Sequence, residues 1–215
     1  MQKLKLKHPV AIRWFHWINF PLLFLMIWSG FLIYWAYDVY HIGPLHIFPA
    51  WVYRPLHMDH RLADGMALHF VFMWLFIING VLYVGYTLLS GEWRLLVPRS
   101  LSTFRDAWYV MLHDLGLHKP LPVQGKYNPA QQVSYSAIIV MGLGSLLTGL
   151  AIYKPAQLWW LTALFGGYQT ARLIHFLLTW GYLAFFVVHI AQVIRAGWNN
   201  FRGMVIGYEL VKDNE

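Results

Sequence analysis

The chain has 215 residues, of which 59% are hydrophobic and 12% charged, with a formal net charge of +7. Soluble domains carry about 25% charged residues, so this composition excludes a water-soluble globule and points to a protein whose solvent is largely lipid. The absence of cysteine excludes disulfides, thiolate metal sites, iron–sulfur clusters and the C-x-x-C-H attachment of c-type haem.

Four apolar runs, 17–36, 66–89, 133–152 and 173–194, reach the roughly 20 residues that a spanning helix needs. The first exceeds a signal-peptide core and is followed by no small-residue cleavage site, so it is expected to stay as an anchor. Between the first two lies an outer segment, 37–65, rich in His, Pro and aromatic residues. An inner segment, 90–132, is broken at Pro98, Pro120, Pro122 and Gly125. After the third run, 155–165 is too short to cross; with Trp159 and Trp160 it reads as an interfacial or re-entrant helix started by Pro155. With the N-terminus inside, twelve of the 16 Lys and Arg residues fall on the inner side, and Arg54, Arg61, Lys154 and Arg172 fall outside. The expected fold is therefore all-α: an integral membrane four-helix bundle with an additional interfacial helix and both termini cytoplasmic, as one domain over 1–215. Topology accounts for the positive charge, and no nucleic-acid partner is implied.

Ionisable side chains inside a membrane are costly and tend to be functional. Of 11 histidines, only His16, His69, His175 and His189 lie in or at the edge of a run. The others, His8, His41, His46, His57, His60, His113 and His118, fall in tails or loops and read as solvated or interfacial, with His60 near enough to the second run to compete with His69. Fourteen residues separate His175 from His189, which on a helix is about 21 Å of depth and about 40° from eclipse. One face of the fourth span thus carries an imidazole near each membrane surface. By topology, the outer one has its partner in His69 and the inner one in His16. Two bis-imidazole pairs at two depths suit two b-type haems, with both axial positions filled and no open site for oxygen chemistry. The plainer reading is that each His hydrogen-bonds a neighbouring helix. Glycines at 30, 80, 85, 142, 144, 149 and 181 allow close approach of a macrocycle or of another helix. Arg13, Arg61 and Arg172, beside these histidines, suit haem propionates or serve as interfacial anchors.

The segment His8-Pro-Val-Ala-Ile-Arg-Trp-Phe-His16-Trp-Ile-Asn, followed by Met26-Ile-Trp-Ser-Gly30, resembles the opening of bacterial di-haem cytochrome b membrane subunits. These are the b-type cytochrome of nickel–iron hydrogenases, the gamma subunit of formate dehydrogenase and the cytochrome b of thiosulfate reductases. The H-x13-H of the fourth span and Leu68-His69-Phe70 are also similar to that family, and the likeness covers nearly the whole chain. It implies that His16 and His189 hold the inner haem, that His69 and His175 hold the outer one, and that a quinone site (menaquinone or ubiquinone) lies near the inner haem. Gly125-Lys-Tyr-Asn128-Pro-Ala130-Gln131 is similar to the G-K-[YF]-N-x-G-Q pattern of formate dehydrogenase gamma subunits, with Ala130 where that family has Gly. This makes Asn128 a quinone-site candidate, although Asn128-Pro129 also reads as a helix cap.

The thiosulfate-reductase-like branch is the most similar. It implies a multi-pass subunit of the bacterial inner membrane, in contact with lipid, that passes electrons between the quinone pool and an extracytoplasmic molybdopterin oxidoreductase. A second class of function is a stand-alone membrane oxidase passing electrons from a small extracytoplasmic donor such as superoxide to quinone. A third, a transporter using the same histidines, predicts polar residues along the bundle interior; the third run offers only Ser134, Ser136, Ser145 and Thr148 beside Tyr135.

Overall fold

A computed structural model describes residues 2–36, 41–42, 45–46, 51, 54–117 and 127–212. Most of the outer segment 37–53, with the side chains of His41 and His46, lies outside the described residues. So do His118 and the breaks at Pro120, Pro122 and Gly125. In chain order the described elements are β1 (Gln2–Leu6), α1 (Val10–Tyr34), β2 (His41–Ile42), β3 (Leu45–His46), α2 (Leu62–Ser90), α3 (Trp93–Leu96), α4 (Leu101–Asp114), α5 (Pro129–Tyr153), α6 (Trp159–Leu164), α7 (Tyr168–Ile206) and β4 (Tyr208–Lys212). The protein is all-α in class, and α1, α2, α5 and α7 are long and apolar enough to cross a membrane. Each extends past its apolar run at one or both ends, because backbone hydrogen bonding continues into the polar flanks where composition alone marks no helix. No more than 17% of the apolar window of any of the four is buried. Exposed aliphatic side chains such as Val71, Val81, Val140 and Val187 therefore present a surface that only hydrocarbon satisfies.

The chain divides into two compact units, Met1–Val84 with Arg202–Glu215, and Gly85–Phe201. In the first, α1 and α2 run antiparallel. Gly65 sits in the first turn of α2, where a Cβ would lie 2.9 Å from Leu32 Cβ and 3.0 Å from the Ile33 nitrogen. Gly65→Ala is expected to destabilise the unit by about 1–3 kcal/mol through overpacking, read as a lowered Tm in detergent. Leu32, Trp35 and Met58 close this end as a small buried cluster. Further along the helix pair, Asn79 Nδ2 donates to the Phe15 carbonyl at 3.2 Å and to Asn19 Oδ1 at 3.4 Å.

At the tails, β1 pairs antiparallel with β4, Gln2 opposite Lys212 through Leu6 opposite Tyr208. Lys7 Nζ meets Glu209 Oε2 at 2.5 Å, and Trp17 Nε1 donates to the Met204 carbonyl at 3.0 Å. Both tails thus lie on one side, as an even number of crossings requires. His8, expected to be solvated, is buried in this clasp beside Gly207, whose φ of 94° turns the chain into β4.

In the second unit α5 and α7 run antiparallel, with Gly144 facing Leu178 and Gly181 facing Met141. Short α6 folds over one end of the pair. Leu161 joins Ala151 and Ala171 in a buried cluster, and Thr162 Oγ1 donates to the Ala151 carbonyl at 3.1 Å. Trp159, Trp160 and Leu164 stay exposed, as an interfacial helix requires. Its start differs from expectation: Pro155 lies in a turn and the helix begins at Trp159. Gly197, at φ 77° and ψ 177°, breaks α7 between its long apolar part and its last nine residues. The inner segment, which the sequence marks only by its breaks, holds α3 and α4.

Candidate functional site

His69 lies two turns into α2 and faces α1, where Ser29 Oγ is 2.9 Å from its Nδ1. Ser29 is fully buried and gives its own hydroxyl proton to the Met26 carbonyl at 3.1 Å. The serine oxygen therefore accepts from Nδ1–H, and a neutral imidazole so held carries its lone pair on Nε2. Gly30 packs beside the ring; a Cβ there would lie 3.8 Å from His69 Cε1.

The second unit repeats this arrangement with different residues. His175 Nδ1 is 2.9 Å from Thr148 Oγ1, and Thr148, fully buried, gives its hydroxyl proton to the Gly144 carbonyl at 2.6 Å. A Cβ on Gly149 would lie 3.3 Å from His175 Cε1, tighter than ordinary contact. In both units a hydroxyl followed by glycine on one helix fixes and flanks a histidine on its antiparallel neighbour. A hydroxyl on Nδ1 orients the ring and fixes the tautomer in the way metal-ligating histidines are held.

Depth follows from the helix registers. Ser29 is level with His69 and stands 13 residues after His16 on α1, so the two histidines of the first unit differ in depth by about 20 Å. The Asn79 contact with Phe15 and Asn19 confirms this register at the other end of the pair. In the second unit His189 follows His175 along α7 by about 21 Å. Each unit therefore carries one histidine near each end of an antiparallel helix pair, at nearly equal separations. His16 meets Trp17 edge-on at 5.1 Å between ring centroids, and His189 stacks on Phe185 at 5.6 Å. All four imidazoles are partly buried. Two imidazoles held as neutral Nε2 donors with glycine against their rings, and a further imidazole near the other end of each helix pair, offer nitrogen ligands of the kind that haem iron takes.

His60 lies elsewhere. It is exposed in the turn before α2 at φ 55°, with its backbone N–H bonded to the Ala36 carbonyl. His60→Ala is expected to leave the haem content per chain unchanged, measured as the pyridine adduct.

Of the arginines, Arg13 Nη1 donates to the Val205 carbonyl at 2.7 Å, which commits part of its guanidinium to the tail clasp. Arg61 pairs with Asp64 at 2.9 Å. Arg172, one turn before His175 on α7, holds Gln169 Oε1 at 3.3 Å and lies over the Tyr168 ring. Asn128 forms a complete capping box on α5: its Oδ1 accepts from Gln131 N–H at 2.8 Å, and Gln131 Oε1 accepts from Asn128 N–H at 3.0 Å. The cap reading of Asn128-Pro129 is thus realised, and the Asn128 amide Nδ2 is the group outside the box.

The residues that sequence reasoning missed are Ser29 and Thr148. Their signal was present as hydroxyl–glycine dipeptides, Ser29-Gly30 and Thr148-Gly149, each near the outer end of an odd-numbered span.

Residues 7–207 match the family described as prokaryotic cytochrome b561. The chain is also 30% identical over 187 residues, covering 86% of this chain and 89% of the relative, to an Azospira oryzae protein named "Putative protein-methionine-sulfoxide reductase subunit YedZ1".

Proposed function

Since the chain belongs to the prokaryotic cytochrome b561 family, b-type haem proteins of the bacterial inner membrane, we propose that it is a di-haem electron-transfer subunit linking the quinone pool to an extracytoplasmic redox partner. The observation that supports this most is the repeated histidine arrangement, one near each end of each helix pair at about 20 Å of depth. His16 with His189 are assigned to the inner haem and His69 with His175 to the outer one. Haem ligated by two imidazoles supplies one-electron transfer without an open site for oxygen.

The protein's own groups orient and tune. Ser29 and Thr148 hold the Nδ1–H of the outer histidines, which leaves Nε2 as the neutral nitrogen that would bind the haem. Arg172, a turn from His175, is assigned to an outer propionate, and the guanidinium donors of Arg13 not used on Val205 to an inner one. On the inner side Asn128 offers Nδ2 to a quinone carbonyl. Asn128→Asp keeps an acceptor for the cap but removes that donor, so haem reduction by a quinol analogue is expected to slow about tenfold while Tm stays unchanged. A parallel loss in Tm would return Asn128 to the cap alone.

The relative's printed name is that of a reductase subunit, which favours a partnered anchor over a stand-alone oxidase. A molybdopterin oxidoreductase is the proposed partner, docking on the side of α6, where Trp159, Trp160 and Leu164 stand exposed. A reduced-minus-oxidised spectrum of the purified protein, with haem counted per chain as the pyridine adduct, tests the scheme. Two b-type haems per chain are expected; a single haem in protein made with ample haem supply would remove the paired assignment.

A further inference from the structure

We propose that the inner-side segment carrying α3 and α4 lies in the plane of the membrane and binds acidic phospholipid, with lipid phosphate between Arg94 and Arg99 and acyl chains along one stripe of α4. Its position comes from the contacts at its ends, all within the second unit. Ser136, in the second turn of α5, donates to the Leu96 carbonyl at 3.2 Å. At the far end Asp114 takes Gln192 Nε2 at 2.7 Å and pairs with Arg195 at 3.2 Å, just before the Gly197 break in α7. Fourteen residues of helix, about 21 Å, therefore run across the ends of α5 and α7 on one side.

The surface of α4 suits neither water nor the bilayer centre. Leu101, Phe104, Trp108, Met111 and Leu115 recur at helical spacing and are 41–88% exposed, while Val110 is buried on the face packed against α5. Arg105, Tyr109 and His113 occupy a third face. An apolar stripe bordered by cationic and aromatic groups is the pattern of a helix lying at the headgroup boundary. Exposed Trp93, with the Arg94 guanidinium 5.8 Å from its ring centroid, carries the same signature into α3.

The ligand chemistry comes from the cleft between α3 and the start of α5. This space of about 240 Å³ is lined by Arg94, Arg99, Thr103, Tyr127 and Gln132, with exposed Leu95 and Val97 as walls and no carboxylate among the described residues that line it. Two guanidiniums and a hydroxyl beside an apolar wall suit a phosphodiester with an attached acyl chain better than a free anion, which has no use for the wall.

The cysteine-free sequence permits single spin labels on the full-length, haem-loaded protein. In vesicles of phosphatidylglycerol and phosphatidylcholine, a label at Phe104→Cys is expected to collide with oxygen more than with a water-soluble nickel chelate, and a label at Tyr109→Cys is expected to show the reverse. Native mass spectrometry then reads the headgroup. Arg94→Gln with Arg99→Gln is expected to weaken phosphatidylglycerol binding about thirtyfold and leave phosphatidylcholine binding unchanged, whereas Arg94→Lys with Arg99→Lys retains most of it. An unchanged haem spectrum shows that each variant folds. The proposal is overturned if the 104 label is reached by the chelate or shielded from both reagents. It is equally overturned if the double Gln variant binds phosphatidylglycerol as before, if inorganic phosphate alone displaces that lipid, or if a quinone analogue does so.

Discussion

His175→Ala is expected to remove the outer haem and leave the inner one, and His189→Ala to do the opposite. Each variant should retain one b-type haem per chain, with the surviving midpoint potential close to one of the two in the parent protein. The reasoning rests on depth. His175 is level with Thr148 near the end of α5, and His189 lies about 21 Å further along α7, too far for both to reach one macrocycle. Alanine leaves no donor at either position, and a single opposing imidazole would hold the haem too weakly to keep it through purification. The measurement is a redox titration followed at the haem α-band together with pyridine haem counting. Both haems retained with unchanged potentials in either variant would defeat the ligand assignment. His16→Ala and His69→Ala carry the complementary expectation, and His69→Ala should match His175→Ala rather than His189→Ala.

Much of this architecture is legible in the sequence because the bilayer imposes a simple constraint. Runs of about 20 apolar residues must be helices when no water is present to satisfy the backbone, so all four spans are recovered, with α6 as the short interfacial piece after the third. The histidines are equally legible, since an imidazole stands out against Leu, Ile and Phe.

The elements that escaped follow a different logic. Helix α4 is amphipathic rather than uniformly apolar, and reading the segment for Pro and Gly breaks passes over the spacing of Leu101, Phe104, Trp108, Met111 and Leu115. The β1–β4 clasp joins residues more than 200 apart, and no local pattern announces a strand whose partner is at the opposite terminus. His8 is buried because of that clasp, which composition cannot foresee. Ser29 and Thr148 look like ordinary small polar residues of membrane helices. Only helix register reveals that each faces an imidazole. The capping box at Asn128 shows the reverse case, where local chemistry was readable and was realised as a cap.

Thr148→Val isolates the contribution of the hydroxyl while keeping the side chain's shape. The threonine is fully buried, relays its own proton to the Gly144 carbonyl and accepts from His175 Nδ1–H. Valine removes that acceptor and leaves the ring its hydrogen bond to the Ser145 backbone, at a cost of about 0.5–1.5 kcal/mol for the one bond lost. The rotational constraint on the ring weakens with it. Partners of this kind alter metal affinity by about 10–100-fold, so the outer haem of the variant is expected to be lost preferentially on dilution into apo-myoglobin as an acceptor, while the inner haem is retained. Its potential is expected to rise, because an imidazole whose Nδ1–H has lost the hydroxyl acceptor is a weaker donor to ferric iron. Thr148→Ser restores the acceptor and should recover both properties, which a purely steric role for the threonine methyl would not allow. Under the proposed pairing, Ser29→Ala makes the same change on the other ligand of the outer haem, since Ser29 holds His69 as Thr148 holds His175. If one macrocycle is shared by His69 and His175, both variants move the same midpoint and leave the other in place. If the two hydroxyls act on different haems, the two variants move different midpoints and the pairing of His69 with His175 fails.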